Sequence, residues 1–135
     1  MKHYYAVFDT NVLVSALLSH NSESPTVAVV DLILDKVIIP LYNEEILCEY
    51  NEVLGRAKFA FSQARIDAVL AAIQSGIATD RTPAGWSFPD EDDIVFYEVA
   101  LSIDEAYLIT GNTRHVPPVS KGVTPAEMLQ IGRGQ

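Results

Sequence analysis

The sequence predicts an α/β domain in which an open, mostly parallel sheet of four to five strands lies between two layers of helices. Three observations lead there. Short runs rich in aromatic and β-branched residues alternate with segments of helical apolar period. The boundaries between them carry caps and breakers. No internal repeat or low-complexity stretch interrupts the alternation. At 135 residues, 49% hydrophobic and 20% charged, the chain fits one domain over residues 1–135. A chain of this size buries roughly two-thirds of its unfolded surface, so the core needs neither a disulfide nor a structural metal.

The first strand is Tyr4 to Phe8, closed by the tight turn Asp9-Thr10-Asn11 and followed by a helix through Val12 to Leu18. Ser24 caps a second helix that Pro25 opens and that reaches about Leu34. Val37-Ile38-Ile39 forms the second strand. Asn43 caps the third helix, with Glu44 and Glu45 at its positive end, and Gly55 marks its stop. After a basic and aromatic connector, Arg56 to Phe61, Ser62 caps a helix with Ile66, Val69, Leu70 and Ile73 on one face and Gly76 at its end. Ile77-Ala78-Thr79 is a weaker third strand, and Thr82 to Pro89 holds too many breakers to be regular. Asp90 to Asp93 opens the apolar helix Ile94 to Ile103, which leads to a strand over Ala106 to Thr110 and a turn at Gly111-Asn112. Thr124-Pro125-Ala126-Glu127 is a capping box for a last helix over Ala126 to Ile131.

The lone Cys48 has no partner in the chain, which predicts a reducing compartment and a buried, chemically quiet thiol. No export signal is visible, and no apolar run approaches the ~20 residues a bilayer requires. A cytoplasmic protein without a membrane segment is therefore expected. The net charge is −9, with 18 acids against 9 bases, the reverse of a generic nucleic-acid binder. Two explanations are open: some acids form a cation site, or the partner is a basic protein.

In an open parallel sheet ligands bind beyond the carboxyl ends of the strands, which singles out Asp9 to Asn11 and Thr110 to Asn112. Asp9 alone is as readily a helix cap as a catalytic group. On the third helix, steps of about 100° per residue put Ile46, Leu47, Tyr50, Val53 and Leu54 on one arc. Glu49 borders that arc, while Glu44, Glu45 and Glu52 project away from it. Four adjacent acids, Asp90 to Asp93, repel one another unless a cation neutralises part of the cluster. Asp93 shares a face with Ala100, two turns on, and so belongs to the packed side. Glu98, inside the apolar helix, either supports such a site or pairs with an arginine. Three carboxylates without a His or Cys set are hard oxygen ligands, favouring Mg²⁺ or Mn²⁺ and phosphodiester hydrolysis by metal-activated water.

At this point the residues resemble the PIN-domain family, in particular its toxin-like branch. Phe8-Asp9-Thr10-Asn11-Val12 looks like the family's opening motif. Glu49 matches the helix glutamate, Arg56 to Phe59 the basic segment after it, Asp93 the third acid, and Tyr107 to Gly111 the next strand and turn. The resemblance runs from about Tyr4 to Met128 and implies a three-layer α/β/α fold. It also implies a Mg²⁺- or Mn²⁺-dependent ribonuclease that prefers single-stranded RNA, often dimeric and often silenced by a small antitoxin. Asp9, Glu49 and Asp93 would be the metal ligands. Asn112 stands where many relatives carry an aspartate, and a neutral ligand there weakens a second metal. Arg114 and His115, in the turn that follows, are candidates for phosphate contacts.

Two rival readings come from the same residues. With Asn112 in the acid position, the domain is also readable as a module that binds RNA or protein without cleaving. A phosphatase resembling the haloacid dehalogenases would begin with strand and aspartate too, but it needs a second aspartate where this chain has Asn11.

Overall fold

The computed structural model describes residues 2–83, 85, 94–111 and 121–134. Its elements follow the chain as β1 (Tyr4–Phe8), α1 (Thr10–Leu18), α2 (Pro25–Leu34), β2 (Ile38–Tyr42), α3 (Glu44–Leu54), α4 (Gln63–Gln74), β3 (Ile77–Ala78), α5 (Ile94–Leu101), β4 (Tyr107–Ile109), β5 (Gly122–Val123) and α6 (Pro125–Gly132). The five strands are all parallel in the order β3-β2-β1-β4-β5. The first strand is therefore the middle one. Ala6, Val7 and Phe8 have no exposure at all, as a strand covered on both faces requires.

Helix α2 packs on α1 and α6, while α5 packs on β1 and β4 and meets α3, which makes the sheet the middle of three layers. The core collects Phe8, Leu13, Ile38, Leu41, Ile46, Leu54, Ile73, Ile109 and Met128. The carboxyl end of α5 is closed from outside the helix. The Lys121 ammonium donates to the Ala100 carbonyl, in the last turn of α5, and to the carbonyls of Ile103 and Asp104 in the turn that follows it.

Several expectations shift. The second strand starts one residue later than Val37 and runs on through Pro40 to Tyr42. Proline is tolerated there because pairing with β3 begins only at Leu41, so the ladder on that side asks no N–H of Pro40. Strand β5, two residues long, has no counterpart among the expected strands. Ser24 stands at the N-cap of α2 but makes no capping bond, its hydroxyl lying 3.0 Å from that of Thr26. The capping box of α6 is present in both directions. Cys48 is exposed, contrary to the expectation of a buried thiol. Helical phase explains it: Cys48 lies about 200° from Ile46, opposite the arc that packs.

Gly76 joins α4 to β3 against the backbone of β2. A Cβ there would stand 1.8 Å from the Pro40 carbonyl oxygen, and backbone cannot yield as a side chain does. Gly76→Ala is expected to lower stability by about 1–3 kcal/mol, an overpacking cost. Urea unfolding should show a lower midpoint at an unchanged slope.

Candidate active site

Asp9 follows β1 directly and caps α1. Its backbone N–H donates to the Ile109 carbonyl at 2.9 Å, which anchors the residue to the end of β4. Its carboxylate accepts on both oxygens. Oδ1 takes the Asn11 N–H at 3.3 Å, and Oδ2 takes the Thr110 hydroxyl at 2.7 Å. Thr110 is itself buried, with its N–H on the Val123 carbonyl of β5. Capping and side-chain orientation thus come from three strand ends meeting at one edge. Asn11 contributes its backbone, while the residue as a whole is exposed.

Glu49 lies on α3 and is the least exposed of that helix's four acids, since Glu44, Glu45 and Glu52 all face solvent. The helix is fixed by its next residue. Tyr50 is completely buried, and its hydroxyl donates to the Phe8 carbonyl at 2.5 Å, one residue before Asp9. Its ring meets Phe96 of α5 with centroids 5.9 Å apart and planes tilted by 38°. Tyr50 was expected only as part of the apolar arc. A phenol on the core face of a helix demands a polar partner, and that was the signal available in the sequence.

Glu98 sits between core residues on α5 with a side chain 13% exposed. Of the two sequence alternatives, pairing with an arginine is what the structure contains: Arg81 Nε donates to Glu98 Oε1 at 2.8 Å. Arg81 Nη1 also donates to Glu45 Oε2 at 2.7 Å, so one guanidinium clips α3 to α5. Asp93, Asn112, Arg114 and His115 lie outside the described residues. Among the described residues, no group of three or more His, Cys, Asp or Glu gathers as a metal set. Asp9 and Glu49 remain, and both offer the hard oxygens that suit Mg²⁺ or Mn²⁺. Next to Asp9 in the chain, the Thr10 hydroxyl is buried with no hydrogen-bond partner among the described residues.

A family model described as PIN domain matches residues 5–114. No curated protein and no solved structure matched the chain.

Burial pushes the Tyr50 phenol well above its ordinary 10.0, the Asp9 charge adds to the rise, and the bond to Phe8 opposes it. The folded state therefore holds this proton more tightly than the unfolded chain does. The group's contribution is complete below pH about 10 and is lost as the pH rises above it. Alkaline titration should show the Tyr50 phenolate absorbance appearing only together with unfolding, and Tyr50→Phe should remove that component. The same variant leaves the buried Phe8 carbonyl without its donor, at a cost of about 1–3 kcal/mol at neutral pH.

Proposed function

The chain belongs to the PIN-domain family, and we propose that it is a metal-dependent ribonuclease hydrolysing phosphodiester bonds of single-stranded RNA. PIN domains are generally nucleases and typically use divalent metal ions. The observation that carries the reading is the preset Asp9. Its two oxygens are oriented by Thr110 and Asn11 at the carboxyl edge of a parallel sheet, the edge where such folds bind ligands.

Asp9 and Glu49, with Asp93 from the sequence motif, would hold Mg²⁺ or Mn²⁺, and Asn112 would offer a neutral oxygen beside them. When bound, the ion supplies Lewis acidity toward water and the phosphate oxygens. The protein's own share is placement. Thr110 fixes which lone pairs of Asp9 remain available, and Tyr50 keeps the helix of Glu49 against the strand that leads into Asp9. Arg114 and His115 are proposed phosphate contacts.

The wider assignment rests on the sequence resemblance: the toxin of a toxin-antitoxin pair, cytoplasmic, homodimeric, and silenced by an antitoxin. The acidic charge of −9 favours a basic partner. Among the described residues no helix is long and apolar enough to cross a membrane.

Labelled single-stranded RNA incubated with Mg²⁺ or Mn²⁺ should be cleaved, and EDTA, Asp9→Asn or Asp93→Asn should abolish cleavage. Cleavage that survives EDTA overturns the metal-dependent reading. A clean preparation that binds RNA without cutting it would instead identify the binding module that Asn112 suggests. Thr110→Val should weaken metal affinity roughly 10–100-fold while the fold is retained, as measured by titrating Mn²⁺.

A further inference from the structure

The cations of this acidic chain are concentrated. Arg56, Lys58 and Arg65 are three of its nine lysines and arginines, and no acid occurs from Val53 to Ile66. The same stretch holds Phe59 and Phe61, whose rings stack with centroids 5.3 Å apart and planes within 9°. The Lys58 ammonium lies 5.1 Å from the Phe59 centroid, and the Arg65 guanidinium 5.4 Å from that of Phe61. Among the described residues neither Lys58 nor Arg65 forms an ion pair, whereas Arg56 is tied to Glu52 at 2.9 Å.

This arrangement does more than place charge on a surface. A flexible lysine loses side-chain entropy when it grips a phosphate, and one already held against an aromatic ring has lost part of it beforehand. Arg65 is held twice, since Nη2 also donates to the Leu17 carbonyl at 2.6 Å, and a guanidinium with five donors keeps others to offer. The patch is also joined to the acidic site. Arg65 binds the carboxyl end of α1, the helix that Asp9 caps, about 13 Å away along nine residues. At its other end, Arg56 is held charged mainly by Glu52, with a smaller contribution from Glu49.

We propose that Lys58 and Arg65, braced by the Phe59–Phe61 stack, form a phosphate-gripping subsite for the part of a single-stranded RNA that flanks the acidic site. This deepens the nuclease reading and rests on it for the choice of RNA. The subsite resolves the charge conflict: the acids serve a cation, and a separate, local set of bases serves the backbone.

The test is the salt dependence of binding. A fluorescently labelled 12-nucleotide single-stranded RNA is titrated with the full chain carrying Asp9→Asn in Mg²⁺ buffer, so that no cleavage intervenes, and Kd is followed against salt. Adding Lys58→Gln and Arg65→Gln should raise Kd and flatten the log–log salt slope by about 1.4, two single-strand phosphate contacts at about 0.7 each. From 50 to 200 mM salt that difference amounts to roughly sevenfold in affinity. Lys58→Gln alone, on an exposed residue, should flatten the slope by about 0.7, and Lys58→Arg should restore it. An unchanged slope in a chain that unfolds at the parental temperature overturns the proposal. If the double variant does not fold, the single variant decides by the same criterion. Cleavage by the unmodified chain is read separately, so loss of the nuclease reading and loss of the subsite give different results.

Discussion

One buried hydroxyl holds the two halves of the candidate site in register. Tyr50 reaches from α3 to the carbonyl of Phe8, and through that contact the helix bearing Glu49 is locked to the strand that delivers Asp9. Packing alone would leave α3 free to roll or slide by fractions of a turn, because apolar contacts are nearly indifferent to small shifts. A hydrogen bond to one buried carbonyl is not indifferent, since breaking it leaves a polar group unsatisfied inside the core. The Arg81 clip between Glu45 and Glu98 performs a similar task nearer the surface, joining α3 to α5.

Electrostatics divide the molecule into regions with different tasks. Arg81 is absorbed in pairing acids on neighbouring helices, and Lys121 in closing the end of α5. Arg56 is absorbed by Glu52. The net charge of −9 is therefore an average over surfaces of different character. What matters for a polyanionic ligand is where cations outside ion pairs stand relative to the acidic site, and the connector after α3 and the first turn of α4 are where Lys58 and Arg65 stand.

Local chemistry was legible in the sequence wherever a signal and its consequence lie a few residues apart. The caps at Asn43, Ser62 and Thr124, the proline opening α2, and the alternation of strands and helices as far as β4 all follow from neighbours along the chain. The phase of α3 marks Glu49 as the least exposed of that helix's acids, as the structure has it, and the same wheel applied to Cys48 gives an exposed thiol; the expectation of burial came from residue type instead. Pro40 hid the true extent of β2, because its acceptability depends on how short β3 is. Strand β5 is too brief to have a period. The site's decisive bonds are remote: Tyr50 and Phe8 are 42 residues apart, Thr110 and Asp9 are 101. No local pattern encodes such pairs, although a phenol and a threonine among apolar residues each signal a need for a partner. Asp93 and Asn112 rest on their motifs alone.

Asp9 is at once the first residue of the proposed site and the cap of α1. Asparagine caps a helix about as well as aspartate does, and its side-chain oxygen can still receive a donor. The two tasks of this position are therefore separable by exchanging one oxygen for nitrogen, a change that α1 would scarcely register. Evolution has a short route from a working enzyme to a silent, well-folded copy, because the demands of folding do not protect the charge. Among descendants of such a chain, an intact fold is poor evidence of retained chemistry, and the residue at this strand end is the one to inspect first.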